Sequence, residues 1–246
     1  MIDPLAIVLA AGKGTRMKTD LPKVAVELCG RPMIEYVLDC LEESGVRRIV
    51  VVVGYRADVI RELLSKRNGI EFVLQQKQLG TGHAVQVCHP QLSNFNGPVL
   101  IVTGDSPLVK TSSLKALFAL YQSDRPSCIV GSAYKEDPAG LGRIVRDTDG
   151  VFTGIVEEKD ATNWQRQITE VNMSTYVFES NALKFALHRI SNENQQGEYY
   201  ITDCPGILKQ LGHDVRALDV LQPCEALSVN TVEQLAIVEE EIRKMR

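Results

Sequence analysis

The residues of this chain whose types could do chemistry crowd most closely in 9–24, LAAGKGTRMKTDLPKV. An apolar run, Ala6 to Leu9, empties into two alanines, the glycines Gly12 and Gly14, and three cations, Lys13, Arg16 and Lys23. Glycines let the backbone approach a ligand and clustered cations neutralise an anion, so such a loop at a strand end suits a polyphosphate. A solvated loop with scattered cations is the alternative these residues leave open. It is not a Walker A loop. Aligned on Gly12-Lys13, the first glycine of G-x-x-x-x-G-K-[ST] falls on Ile7 and the hydroxyl position on Gly14. A dinucleotide fingerprint fails as well, because Met17 stands where its third glycine is needed.

A second chemical group is Asp105, which follows the apolar run Val99–Val102 at what reads as the carboxyl end of a strand. In parallel α/β sheets ligands bind beyond those ends. The cysteines offer no rival chemistry: Cys29, Cys40, Cys88, Cys128, Cys204 and Cys224 form no C-x-x-C pair and no metal-ligand spacing. They are expected to be reduced and mostly buried. A net charge of −4 argues against a sequence-independent nucleic-acid binder and points to a small partner. The N-terminus has no basic n-region and no apolar stretch approaches about 18 residues, so a cytoplasmic protein is expected.

The elements that must position these groups follow from periodicity. Strand-length apolar runs recur at Ala6–Leu9, Arg48–Val53, Glu71–Leu74 and Pro98–Val102, with helical patterns between them from Pro32 to Gly45 and over Ala57–Lys66. Alternation of this kind predicts a mainly parallel, doubly wound sheet with helices on both faces. After a helix over Ser112–Gln122, the pair Arg143–Arg146 and Val151–Val156 flanks Asp147-Thr-Asp-Gly150, a hairpin turn, so a small antiparallel insertion is expected. A strand over Val171–Phe178, helices near Ala182–Ile190 and Glu198–Leu211, strands at Val215–Leu221 and Ala226–Val229, and a last helix from about Thr231 complete the pattern. With no repeat or linker-like tract, 246 residues read as one α/β domain. Residues 1–110 carry the β/α alternation, 111–230 the mixed second half and 231–246 the C-terminal helix.

The pattern L-x-A-G-x-G-T-R-M followed by L-P-K resembles the signature of the sugar-1-phosphate nucleotidyltransferases. Here it is Leu9, Ala11, Gly12, Gly14, Thr15, Arg16, Met17, Leu21, Pro22 and Lys23. Gln75 with Gln78-Leu-Gly-Thr-Gly-His-Ala84 follows, then Gly104-Asp-Ser-Pro-Leu108, Gly142-Arg-Ile144, Ile155-Val-Glu-Glu-Lys-Asp160, Gln196-Gly-Glu-Tyr-Tyr-Ile-Thr-Asp203 and Val229-Asn230. In that order, over nearly the whole chain, they look like the uridylyltransferase domain of the bacterial bifunctional enzymes that make UDP-N-acetylglucosamine. The resemblance implies a Rossmann-like nucleotide-diphospho-sugar transferase fold, with residues 1–110 as a nucleotide-binding half, 111–230 as a sugar-binding half and 231–246 as a C-terminal helix. The hexapeptide repeats of those enzymes' acetyltransferase domain have no counterpart here, so no acetyl-CoA-dependent activity is expected, and the oligomeric state is open.

The resemblance also implies roles. Leu9, Ala10, Ala11 and Gly12 match the segment that lies against the nucleotide, and Gln75, Gly80 and Thr81 match the base-recognition groups. A primary amide such as Gln75 offers both a donor and an acceptor to the imide edge of uracil. Arg16 and Lys23 match the cations that engage the triphosphate and the sugar phosphate. Gly142, Glu157, Asn172, Tyr199 and Thr202 match the sugar side. Asp105 and Asn230 match two ligands of Mg²⁺, an ion that commonly takes only one or two protein oxygens. Asn230-Thr-Val-Glu233 also reads as a helix-capping pattern, so the asparagine has a second reading. His83 is expected to be structural.

The chain departs from the pattern at Leu141, where an aromatic is usual, at Glu158, where a histidine is common, and at Met173-Ser174, where Thr-Gly is usual. All three fall on the sugar side. The implied reaction is UMP transfer from UTP to N-acetylglucosamine-1-phosphate, and it needs no general base because a phosphate monoester with a second pKa of about 6 is already ionised. Two alternatives stand: another sugar-1-phosphate or nucleotide, and a non-catalytic nucleotide-sugar-binding regulatory module.

Overall fold

The computed structural model describes residues 3–17, 19–227, 229 and 231–245. β1 (Leu5–Ala10) enters the opening loop, and a two-residue pair, β2 (Glu27–Leu28) and β3 (Arg31–Pro32), leads to α1 (Met33–Glu43). Then follow β4 (Arg48–Val53), α2 (Ala57–Leu63), β5 (Ile70–Leu74), α3 (Thr81–Gln86), α4 (His89–Ser93), β6 (Pro98–Thr103) and α5 (Thr111–Asp124). The second part comprises β7 (Cys128–Tyr134), β8 (Arg143–Arg146), β9 (Phe152–Val156), β10 (Glu170–Glu179), α6 (Ser180–Leu187), α7 (Asp203–Gln210), β11 (Val215–Asp219) and α8 (Val232–Met245).

The main sheet runs β11-β7-β10-β6-β1-β4-β5, with the β8–β9 hairpin attached to β10. β1 pairs in parallel with β4 and β6, and β4 with β5. β10 is antiparallel to both of its neighbours, β6 and β7, while β11 is parallel to β7. Along this path β10 alone is reversed. Its amino end therefore lies on the edge where β1, β4 and β6 present their carboxyl ends.

The apolar strands feed two cores because side chains alternate across a pleated strand. Leu5, Ile7, Val50, Val52, Val99 and Ile101 face α3, α4, α6 and α7, whereas Ala6, Val8, Val51, Leu100 and Val102 face α1, α2 and α5. Taking one such side chain out of water stabilises by roughly 1.5–3 kcal/mol. A third cluster, Met17, Leu28, Met33, Leu108, Val238 and Ile242, holds α8 against the opening loop.

Most expected elements occur within a few residues of their boundaries. The doubly wound sheet and its antiparallel insertion are present, and the 143–156 hairpin has Gly150 at φ 77. Among the described residues of the strand expected at Ala226–Val229, Ala226, Leu227 and Val229 form no strand. Pro223–Ala226 is instead a 3-10 turn closed by a Gln222/Glu225 capping box. The carboxylate of Glu225 accepts from Lys110 N, Ser113 Oγ and Gln222 N, which holds that turn against α5. β7 has no counterpart in the reading of the sequence, because Gly131-Ser132 interrupts its apolar run; both residues are buried beside the reversed strand. α7 begins at Asp203 and not at Glu198, because the backbone of 199–201 is bonded elsewhere, as described below. Of the cysteines, Cys40, Cys88, Cys128 and Cys204 are buried, and all six are free thiols.

Candidate active site

The exit of β1 is bonded to the exits of both neighbouring strands: Gly104 N donates to Leu9 O at 2.9 Å and Tyr55 N donates to Ala11 O at 3.1 Å. These bonds shape one end of a pocket of about 260 Å³. Leu9, Ala10, Ala11, Gly12, Gln75, Gly80 and Thr81 all line it, together with Lys23, Gln78, Thr103, Asp105 and Glu198. Gly14 has φ +65, and a Cβ there would sit 2.7 Å from Lys23 Cβ, so the loop needs a glycine to lie against the lysine stem. The ammonium of Lys23 pairs with Asp105 Oδ2. Among the described residues, the second carboxylate oxygen of Asp105 accepts no hydrogen bond.

The far wall of this pocket is the loop between β5 and α3. Gly80 has φ +107, and a Cβ there would lie 2.5 Å from Tyr199 O, so this position also excludes a side chain. Gly82 N donates to Tyr199 O at 2.7 Å, Tyr199 N to Leu79 O at 2.8 Å, and Ile201 N to Thr81 Oγ1 at 3.1 Å. The 199–201 segment is thus tied to the loop and cannot join α7. Gln75 is buried, and its Nε2 lies 3.0 Å from Gly80 O and 3.0 Å from His83 Nδ1. The amide nitrogen thus faces two protein groups, while among the described residues its carbonyl oxygen accepts no hydrogen bond.

A second pocket, of about 180 Å³, adjoins the first and shares Thr103 and Asp105 with it. Gly142, Glu157, Asn172, Met173 and Ser174 line it. Asn172 arrives there because β10 is reversed: the register pairing Tyr176 with Ile101 and Phe178 with Val99 runs back toward Asp105. Asn172 Nδ2 donates to the hydroxyl of Tyr176 at 2.7 Å, and Asn172 N to Gly142 O at 2.8 Å. Ser174 has φ +50, the left-handed conformation that glycine adopts most readily, at a register shift in β10.

Acid chemistry is concentrated behind this pocket. Burial pushes the Glu157 carboxyl up, and the hydroxyl of Thr202, donating to its Oε1 at 2.8 Å, partly offsets that. Burial, then the charges of Glu157 and Asp160, raise the Asp203 carboxyl to about 6. Thr202 supports Glu157 without lining the pocket. Tyr199 lies on the other side, its ring centroid 6.5 Å from that of His83.

The loop 139–142 is held by a buried cation. Arg143, 1% exposed, donates to Glu158 Oε2 at 2.6 Å and to Leu141 O, while Gly140 N donates to the same Glu158 oxygen at 3.2 Å. Burial raises the Glu158 carboxyl, but Arg143 and the Gly140 amide outweigh it and hold the group below its ordinary value. Nothing in the spacing of 143 and 158 signalled this pair. Arg16 lines neither pocket. It lies across Gly140 and Leu141 in a separate cleft of about 230 Å³ with Lys135, Ile237 and Val238. Asn230 lies outside the described residues. The cap of α8 is Thr231, whose Oγ1 accepts from Gln234 N at 3.3 Å.

A mainly parallel sheet with two adjoining pockets at its carboxyl edge is the architecture of a nucleotide-handling enzyme. Residues 6–231 match the model of the MobA-like NTP transferase domain, and the chain belongs to that family. Among its relatives, the Bifunctional protein GlmU of Levilactobacillus brevis is 44% identical over 224 residues, covering 91% of this chain and 48% of that protein. The protein of the same name from Bacillus cereus is 43% identical over 242 residues, 98% of this chain and 52% of that one. The chain thus spans about half the length of the curated relatives it matches. UDP-glucose pyrophosphorylase complexed with UDP-glucose superimposes with a TM-score of 0.77 at 19% identity, covering 100% of both chains. A putative glucose-1-phosphate thymidylyltransferase from Bacillus anthracis does so with 0.81 at 15% identity, covering 99% of this chain and 96% of that one. Both show the nucleotidyltransferase fold. Among the described residues no helix is long and apolar enough to cross a membrane.

Proposed function

We propose that the chain is a cytoplasmic uridylyltransferase that transfers UMP from UTP to N-acetylglucosamine-1-phosphate, releasing pyrophosphate. The observation that carries this reading is the common wall. Asp105 and Thr103 belong to both pockets, so two small molecules bound side by side would meet at the Lys23–Asp105 pair. Leu9–Gly12, Gln75, Gly80 and Thr81 would hold the nucleotide. Gly142, Glu157 and Asn172 would hold the sugar, with Thr202 behind Glu157. Residues 1–110 then supply most of the nucleotide side, although Glu198 and Tyr199 from the later half close its base loop.

In this reaction an oxygen of the sugar phosphate attacks the α-phosphorus. The bond from that phosphorus to the α–β bridging oxygen breaks, and its electron pair leaves with pyrophosphate. The nucleophile is already ionised, so the work is neutralising two approaching anions and fixing their line. Lys23 supplies a cation at the wall between the pockets, and Arg16 would reach the phosphates from the neighbouring cleft. Asp105 offers a hard carboxylate oxygen with no protein partner among the described residues, a donor of the kind that suits Mg²⁺, with Asn230 as the proposed second ligand. The ion would add charge neutralisation at the phosphates.

The test is pyrophosphate release from a matrix of UTP, CTP and dTTP against N-acetylglucosamine-, glucose- and galactose-1-phosphate. UTP with N-acetylglucosamine-1-phosphate should be the fastest pair. Preference for another pair would reassign the substrates, and nucleotide-sugar binding without turnover in any pair would favour a regulatory module.

A further inference from the structure

We infer that His83 fixes the orientation of the Gln75 side-chain amide and thereby sets which pyrimidine edge the first pocket accepts. The inference rests on the nucleotide-binding reading above. A primary amide carries two N–H donors and one carbonyl acceptor. Gln75 is 3% exposed, and its nitrogen stands 3.0 Å from Gly80 O and 3.0 Å from His83 Nδ1. With both hydrogens committed, the carbonyl oxygen is the group left for a ligand, and among the described residues it accepts no hydrogen bond.

An acceptor aimed at a base selects an edge that donates. The N3–H of uracil meets that condition, whereas N3 of cytosine carries a lone pair and would face the oxygen in repulsion. Rotating the amide by half a turn would bring its NH₂ to the base and invert the preference. Two contacts oppose that turn: the carbonyl of Gly80 and, in the tautomer that leaves Nδ1 an acceptor, the ring of His83. Only the second comes from a side chain. The ring is itself held, since His83 stands in the first turn of α3 beside Tyr199, and the backbone bonds of Tyr199 with Leu79 and Gly82 close that corner. His83 acts through Gln75, so it is a positioning residue.

The test compares UTP with CTP, in equilibrium binding and in kcat/KM with one sugar-1-phosphate, for the wild type, His83→Phe and His83→Asn. Phenylalanine keeps a ring against Tyr199 but has no acceptor, while asparagine places a carbonyl oxygen near the Nδ1 position. His83→Phe should lower the UTP-over-CTP preference by about tenfold, the factor that corresponds to 1.4 kcal/mol, with His83→Asn close to wild type. An unchanged preference in His83→Phe, or an equal loss for both nucleotides in both variants, would overturn the proposal. If His83→Phe does not fold, His83→Ala takes its place under the same criterion. A wild type that binds UTP and CTP alike would sink the base reading and this proposal together. A wild type that prefers UTP, with a His83→Phe variant that does so equally, would leave the base reading standing and remove His83 alone.

Discussion

The two pockets meet at Asp105 yet are built by different means. The first is made largely of backbone leaving parallel strands: residues 9–12 are the end of β1 and the two residues after it, and Gln75 follows β5 directly. Its shape rests on main-chain bonds such as Gly104 N to Leu9 O and Tyr199 N to Leu79 O. The second is assembled from a reversed strand, a hairpin and the loop after β9, and side chains hold it: Arg143 with Glu158, Thr202 with Glu157, Asn172 with Tyr176. A site made of backbone tolerates changes of side chain around it. A site held by side-chain ties changes with each of them, and the departures at Leu141, Glu158, Met173 and Ser174 all fall there.

The largest expected effect lies at the wall the pockets share. Asp105→Asn should lower pyrophosphate release by about a hundredfold or more, and Lys23→Ala should lower turnover by a similar factor while the KM for UTP moves less. Because the two groups form one pair, the double variant should lose much less than the product of the single losses. Full activity in Asp105→Asn would end the proposed mechanism.

The comparison itself is tested next by Arg143→Met. Removing the buried guanidinium leaves a partly exposed Glu158 with only the Gly140 amide and Arg166, 3.7 Å away, and strips Leu141 O of its donor, so a urea melt should show stability lower by about 1–3 kcal/mol. The KM for the sugar phosphate should rise several-fold, with the KM for UTP little changed. Equal rises in both constants would mean that the pockets are not separately supported.

Asp203→Asn should produce a smaller change of opposite sign. The Asp203 carboxyl stands at about 6 in the folded chain, above the unfolded value of about 3.9. The native state therefore binds the proton more tightly, and the stability this adds is full below about pH 4 and lost as pH rises through about 6. At pH 7.5 the asparagine variant should be more stable by roughly 1–2 kcal/mol, a value reduced for partial exposure, and at pH 4 the difference should vanish. A pH-independent difference would assign the effect to packing.

The smallest effect separates two readings of adjacent residues. Thr231 is the cap of α8, so Thr231→Ala should cost about 0.5–2 kcal/mol in a melt and leave the Mg²⁺ requirement alone. Asn230→Ala should do the reverse, raising the Mg²⁺ concentration for half-maximal rate with little change in the melt. An unmoved Mg²⁺ titration in Asn230→Ala would remove that residue from the proposed metal site.

Legibility in the sequence followed the same division. The strands β1, β4 and β6 were readable because each is an apolar run buried on both faces, and β5, a half-exposed edge strand, because of its short run Phe72–Leu74; the loops at their ends carry local glycine and cation patterns. All seven residues matched to the nucleotide line one pocket. On the sugar side, Gly142, Glu157 and Asn172 line the second pocket, while Thr202 stands behind Glu157 and Tyr199 turns to the base loop. Arg16, four residues past Gly12, lies in a different cleft. Proximity in sequence did not place it, because the short 3-10 turn Thr15–Met17 carries it away from the strand end.

What the sequence determined by itself is therefore local: which runs are strands buried on both faces, where glycines open a loop, and which charged groups sit at strand ends. Those features depend on residues within a few positions of one another, and side-chain period and backbone freedom suffice to read them. The tertiary structure decided the rest. Reversal of β10 brings Asn172 to the carboxyl edge beside Asp105, and the chain path from 143 to 158 lets a buried arginine hold the loop over the second pocket. The fold of the β5–α3 loop sets the Gln75 amide nitrogen 3.0 Å from both Gly80 O and His83 Nδ1. Strand direction is set by partners tens of residues away, and the amide by Gly80 and His83, five and eight residues on; neither leaves a periodic trace in the strand or the loop that carries it.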